Sequence, residues 1–98
     1  MAQNYGNFSA KTVLETCLNI PASWTAMPTT ALTHRQVLRV YNKGEHKLYL
    51  SFDNTVASIK YRMAIGSGEM IDFPIQDNLT LYGYSETGSD RVIITEFQ

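Results

Sequence analysis

The sequence is poor in the residues that build most chemical sites. It has one cysteine, Cys17, and two histidines, His34 and His46. A single cysteine excludes an intrachain disulfide, and without Cys or His pairs at ligand spacing a zinc site is not expected. We therefore predict no metal, no cofactor and no disulfide framework for this chain.

Net charge and long apolar runs are lacking as well. Eight Lys and Arg residues against nine Asp and Glu residues give a formal net charge of −1, so no global field attracts nucleic acid or an acidic membrane. No apolar run approaches the roughly 18 residues of a transmembrane helix, and the N-terminus lacks the features of a signal peptide. We predict neither a nucleic-acid partner nor a membrane partner, and the single cysteine is compatible with a reducing compartment.

The amino-acid sequence also lacks recognisable catalytic motifs. Nucleophilic catalysis needs a Ser or Cys beside a histidine that a carboxylate orients. Cys17 follows Leu14 and precedes Leu18 and Ile20, a setting in which a free cysteine usually behaves as a small buried hydrophobe. The Gly-Ser-Gly-Glu segment at 66–69 lacks the lysine of a P-loop and is interpreted as a hairpin turn. The sequence predicts a protein that is not an enzyme.

The clearest pattern is a β-hairpin over residues 35–53. Apolar residues alternate in both halves, which is typical of half-buried strands, and Asn42 and Gly44 tolerate the positive φ of a short turn. Arg35 falls on the predicted outer face of the first strand. The predicted inner face consists of Leu38, Val40, Leu48, Leu50 and Phe52.

Turn signals recur at near-regular spacing after this hairpin, as in sandwiches and barrels. The other strand candidates are residues 13–20, 58–65, 69–75, 79–85 and 91–97. A short helix competes with the strand over 13–20. The sequence predicts an all-β, antiparallel β-sandwich, jelly-roll-like or Ig-like, of about seven to eight short strands with an extended N-terminal arm. Its predicted core is Leu38, Val40, Leu48, Leu50, Phe52, Ile71, Phe73, Leu81 and Ile94.

Residues 1–34 differ in kind from the sandwich predicted over 35–98, and together they form one domain. The segment 21–34 has prolines that block strands and helices, yet almost no charge, so it is not typical of a disordered tail. Two interpretations stay open: the arm caps its own sandwich, or it contacts a neighbouring subunit or shell. The predicted interface residues are Tyr5, Phe8, Trp24, Met27 and Pro28.

Two further surface patches are predicted. A mildly basic group surrounds the first hairpin, and the balanced total charge favours a solvated or protein-contacting face over a nucleic-acid site. The basic group is Arg35, Arg39, Lys43, His46 and Lys47. Tyr82 and Tyr84 form a possible ligand platform for sugars, with cross-strand packing as the competing interpretation.

Five segments between residues 35 and 97 carry a family resemblance. They are Arg35-x-x-Leu38-Arg39-Val40-x-Asn42-x-Gly44, Leu48-Tyr49-Leu50-Ser51-Phe52-Asp53, Gly68-Glu69-x-Ile71-Asp72-Phe73, Leu81-Tyr82-Gly83-Tyr84-Ser85 and Val92-Ile93-Ile94-Thr95-Glu96. Their order resembles the small β-sandwich virion proteins of tailed bacteriophages, which decorate or cement the capsid or lie in the neck and tail. The segments are turn-and-strand patterns, so the resemblance supplies no catalytic residue.

The resemblance implies a structural virion protein, foremost a capsid decoration or cement protein that binds and stabilises the assembled head. Its implied partners are the major capsid protein or other virion proteins and further copies of itself. Its implied location is the capsid surface or the neck and tail, after assembly in the host cytoplasm. The alternatives are a neck or tail component and a carbohydrate- or receptor-binding β-sandwich module.

Overall fold

The structure is a computed structural model that describes residues 3–5, 8–10, 12–55 and 63–98. All the regular elements in these ranges are β-strands, which confirms the predicted all-β class. The strands are β1 (Gln3–Tyr5), β2 (Phe8–Ala10), β3 (Val13–Ile20), β4 (Thr25–Ala26), β5 (Val37–Asn42), β6 (Leu48–Ser51), β7 (Met63–Ile65), β8 (Met70–Phe73), β9 (Tyr82–Ser85) and β10 (Asp90–Phe97). Residues 13–20 therefore form a strand and not the competing helix.

Two four-stranded sheets build the sandwich. The first sheet has the order β3-β10-β5-β8, the second has the order β4-β9-β6-β7, and β1 pairs with β2 separately. Every pairing is antiparallel. The prediction of an antiparallel β-sandwich is confirmed, and β3 and β4 bring residues from the 1–34 segment into its sheets.

The core lies between the two sheets and consists of alternate residues from their inner faces. The predicted core residues that are buried are Leu38, Val40, Leu48, Leu50, Phe73, Leu81 and Ile94. Ile71 is partly buried against them. The prediction omitted four buried members of this core, namely Ile20, Met27, Ile65 and Val92. The inward faces inferred over residues 35–53 are thus confirmed by burial. The predicted hairpin itself is wrong, because β5 pairs with β10 and β8 whereas β6 pairs with β9 and β7, so residues 43–47 connect one sheet to the other. The predicted hairpin turn at 66–69 likewise connects β7 of the second sheet to β8 of the first.

Two predictions of burial are wrong. The side chain of Phe52 is 47% exposed, because β6 ends at Ser51 and Phe52 lies beyond the covered part of the sheet. Its ring still meets that of Phe73 edge-on, with centroids 6.0 Å apart. Cys17 is exposed, because its position has the opposite parity to Ile20 and it therefore points to the outer face of β3.

The arm over residues 21–34 lies on its own sandwich. Met27 is 1% exposed, and its N–H donates to the carbonyl oxygen of Leu81 at 2.9 Å. Pro28 is buried beside it. This placement favours the interpretation that the arm caps its own domain, and contact with a neighbouring chain stays a prediction.

Some predicted positions lie outside the described residues. Of the strand candidate over 58–65, the structure describes only β7. The backbones of Tyr5 and Phe8 face each other in the β1–β2 pair, and their side chains are not described. Their predicted role in an interface therefore stays a prediction.

Gly83 occupies a position on the inner face of β9 where the sheets leave no room for a side chain. A Cβ atom there would lie 2.5 Å from Met27 Sδ and 3.4 Å from Leu48 Cδ1. Because overpacking a core costs about 1–3 kcal/mol, we expect Gly83→Ala to lower the free energy of unfolding by about that amount in urea denaturation. Combining it with Met27→Ala should cost less than the sum of the two single changes, and strict additivity would contradict the proposed contact.

Candidate functional site

The outer face of the second sheet carries a row of aromatic rings. Tyr84 of β9 lies opposite Tyr49 of β6. Trp24, just before β4, meets the Tyr84 ring with centroids 5.3 Å apart and planes at 63°. Tyr82 lies two residues away on the same face of β9. These four side chains, which we call the aromatic row, are all partly exposed.

The aromatic row joins residues from two separate predictions. Tyr82 and Tyr84 are the predicted platform, and Trp24 is a predicted interface residue. Tyr49 belongs to neither set. Flat rings with polar edges present apolar surface together with hydrogen-bonding groups. The row can therefore stack against a sugar ring or contact a protein. The edge-to-face contact between Trp24 and Tyr84 is also compatible with the competing interpretation, in which the rings serve cross-strand packing.

A second surface crosses the outer face of the first sheet. Strand register places Cys17 beside Ile93, Ile93 beside Tyr41, and Tyr41 beside Met70. Cys17 is exposed, Ile93 and Tyr41 are partly exposed, and Met70 is 57% exposed. We call these four residues the apolar stripe. It runs across all four strands of the sheet and contains no Asp, Glu, Lys, Arg or His side chain.

A charged row borders the apolar stripe. Arg39 and Asp72 form a bidentate pair, with Nε to Oδ1 at 2.7 Å and Nη2 to Oδ2 at 3.0 Å. The hydrogen bond to Asp72 raises the pKa of Arg39, and burial partly opposes that rise. The guanidinium carbon of Arg39 also lies 5.1 Å from the centroid of the Phe97 ring. The pair therefore places one positive and one negative charge at fixed positions beside the uncharged side chains of the apolar stripe.

The predicted basic patch does not form as one surface. Arg35 is only 2% exposed because β5 begins at Val37, so the alternation of the strand does not extend back to residue 35. Arg39 is paired with Asp72. Only Lys43, His46 and Lys47 of the predicted group remain as exposed basic residues.

Arg35 instead forms a buried clamp with Glu96. Arg35 Nη1 donates to Glu96 Oε2 at 3.0 Å, and the side chains are 1% and 0% exposed. Glu96 Oε2 also accepts the N–H of Leu32 at 2.8 Å. The other guanidinium nitrogens donate to the carbonyl oxygens of Ile75, Gln76 and Leu79. The clamp thus fastens the arm and the 75–79 loop to β10.

A cavity of about 340 Å³ lies beside this clamp. Its described lining residues include Thr29, Thr30 and Thr80, and Arg35 is the only basic residue among them. Each guanidinium nitrogen of Arg35 already has a protein acceptor. The cavity therefore offers no uncommitted cation with which to bind an anion.

His46 lies in a polar cluster that is not arranged for catalysis. Asp90 Oδ1 lies 3.3 Å and Thr87 Oγ1 lies 3.1 Å from His46, and both contact the same ring nitrogen, Nδ1. A catalytic relay needs the carboxylate and the nucleophile on opposite ring nitrogens. Ser85 Oγ donates to Asp90 Oδ2 at 2.7 Å, so this cluster joins two turns. Within the described ranges, no group of three or more His, Cys, Asp or Glu residues is placed to hold a metal.

Comparisons with known proteins give one structural likeness. No protein-family model matches the sequence, and no curated protein matches it. A solved structure of Bacillus endospore appendages, described as a novel family of disulfide-linked pili, aligns with a TM-score of 0.43 and 11% identity over 97% of this chain and 96% of that chain. A likeness at this level carries no argument about function. The described residues contain no helix that is long and apolar enough to cross a membrane.

Proposed function

We propose that the protein is a structural subunit of a larger assembly, namely a tailed-bacteriophage virion protein that decorates or cements the capsid. The apolar stripe carries the proposal, because it exposes uncharged side chains across all four strands of the first sheet. Contiguous apolar surface on a soluble domain marks an interaction site. The resemblance of the segments between residues 35 and 97 supplies the virion context.

The geometry of the stripe suits attachment to a shell protein. The Arg39–Asp72 pair beside it supplies a charge pattern that fixes orientation, while Tyr41 and Met70 supply apolar contact area. A protein that binds only the assembled lattice stabilises that lattice by mass action. When many copies bind the same shell, their individually weak contacts add up through avidity. This role requires no cofactor, and its partners are the major capsid protein or other virion proteins.

Purified virions provide the test. We expect the chain in purified particles at a copy number that follows that of the shell subunits, as measured by quantitative mass spectrometry. Met70→Glu should lower its occupancy on the particles, because it places a charge on the apolar stripe. Ala64→Glu is the matched control, since Ala64 is also exposed but lies opposite Tyr49 on the outer face of the other sheet. Absence of the chain from particles, or equal loss with both variants, would refute the proposal.

The aromatic row supports a second candidate, a carbohydrate- or receptor-binding module. Its four partly exposed rings lie side by side on one face, which is the arrangement that stacks on sugar rings. On a glycan array, the candidate predicts binding that Tyr49→Ala abolishes. Tyr41→Ala is the control, because Tyr41 is also partly exposed but lies on the first sheet. No glycan binding, or equal loss in both variants, would count against a sugar ligand.

A further inference from the structure

One edge of the sandwich is long, and no described strand pairs with it. β3 has eight residues and forms an edge of the first sheet. The other three edge strands have two, four and three residues in β4, β8 and β7. Natural proteins protect edges with short strands, prolines and charges, whereas β3 contains no proline and carries only one charged side chain, Glu15.

The backbone groups that β3 directs outward can be identified. Gln98 N–H donates to the carbonyl oxygen of Thr12 at 2.9 Å, and β10 pairs with β3 in this same register. Along an antiparallel strand, alternate residues direct both N–H and C=O to the same side. Even-numbered residues of β3 therefore bond to β10. The residues that direct their backbone groups to the free edge are Val13, Glu15, Cys17 and Asn19.

The inner face of β3 is also open at one end. Leu14 shares the inward parity of Leu18 and Ile20 but is 44% exposed. The edge strand of the facing sheet, β4, covers only Thr25–Ala26, so it does not extend over Leu14. The edge thus combines backbone groups that point outward with the apolar side chain of Leu14, which neither of the two described sheets covers.

We propose that β3 pairs antiparallel with β3 of a second copy of this chain, with Thr16 on the two-fold axis. In this register Glu15 lies opposite Cys17 of the second copy, and Val13 lies opposite Asn19 of the second copy. All the outward backbone groups then find partners. Leu14 lies opposite Leu18 of the second copy, which covers its exposed surface. The pairing is isologous and closed, and it does not depend on a capsid.

Neighbouring registers of the β3–β3 pairing either leave backbone groups without partners or place like charges opposite each other. With Cys17 on the axis, Val13 would lie opposite Pro21, which has no N–H and whose carbonyl oxygen already accepts from Ser85. With Glu15 on the axis, the two carboxylates would lie directly opposite each other, and like charges in that position are destabilising. The Thr16 register avoids both defects.

Sedimentation of the full-length chain tests the pairing. We expect a dimer at micromolar concentration that Cys17→Pro converts to a monomer, because proline removes an outward N–H without removing a bond to β10. Cys17→Ser keeps the backbone donor and should remain dimeric. A monomeric wild-type chain, or a dimer that survives Cys17→Pro, would overturn the proposal. Unchanged circular dichroism shows that the variants are folded.

Two charge variants test the register even if the proline variant fails to fold. Because residue 17 faces Glu15 of the second copy, Cys17→Lys should tighten the dimer and Cys17→Glu should weaken it, each by roughly a factor of 2–10. If Cys17 lay on the axis, both changes would place like charges opposite each other and both would weaken the dimer, which would overturn the Thr16 register. A monomer that still loads onto virions would refute the pairing but not the proposed function.

Discussion

Replacing Arg35 with methionine is expected to lower the free energy of unfolding by about 3–5 kcal/mol. The change leaves the carboxylate of Glu96 buried, at 0% side-chain exposure, without its cation. It also removes the donors that satisfy the carbonyl oxygens of Gln76 and Leu79. An unpaired charge in a core is far more costly than the loss of the attraction alone. Urea denaturation of the two proteins measures the difference.

The Arg39–Asp72 pair supplies the matched control. Its side chains are 25% and 39% exposed, and exposed ion pairs contribute about 0–1 kcal/mol. Arg39→Met should therefore cost about 1 kcal/mol, including its contact with the Phe97 ring. Adding Glu96→Leu to Arg35→Met should restore part of the lost stability by removing the orphaned carboxylate. Equal costs for Arg35→Met and Arg39→Met would contradict the clamp.

Truncating Phe73 to alanine should cost about 3–5 kcal/mol, whereas Phe52→Ala should cost about 1 kcal/mol. Phe73 is 9% exposed and Phe52 is 47% exposed, so only the former leaves a cavity in the packed core. The sequence pattern alone predicts a similar large cost for both residues. Thermal or urea unfolding of the two variants separates the two expectations.

The pair of phenylalanines also controls for residue type, since both changes remove the same atoms. Their rings contact each other, so the double variant should cost less than the sum of the single variants. A large cost for Phe52→Ala would mean that its ring is covered in the folded protein, contrary to its exposure in the structure.

Local alternation was enough to predict most of the strands and their inward faces, but neither their pairing nor the clamp. Leu38 and Val40 reveal their inward face because neighbours two positions apart share it. Arg35 shares the parity of Arg39 but precedes β5, where the chain no longer follows the pleat of the strand. One feature of the sequence does indicate the clamp: Glu96 has the inward parity of Val92 and Ile94 of β10. A charge on an inner face requires a buried partner.

The candidate surfaces were only partly predictable for a different reason. Tyr82 and Tyr84 are neighbours on one strand, so the sequence brings them together. Tyr49 and Trp24 join them only through the pairing of β9 with strands distant in the sequence. The apolar stripe likewise takes Cys17 and Met70 from opposite edges of one sheet. Such rows depend on register between strands, which no local pattern specifies.

The order of the first sheet has a consequence for how the protein is made. β10 lies between β3 and β5 and follows both in the chain, so it leaves the ribosome after both of its neighbours. Until then β3 and β5 have no common partner, and Arg35 has no Glu96. Pairings between segments this distant in sequence also slow folding. We infer that the first sheet closes only after residues 90–97 have emerged, so that until then β3 and β5 remain in a state that chaperones or neighbouring chains can reach.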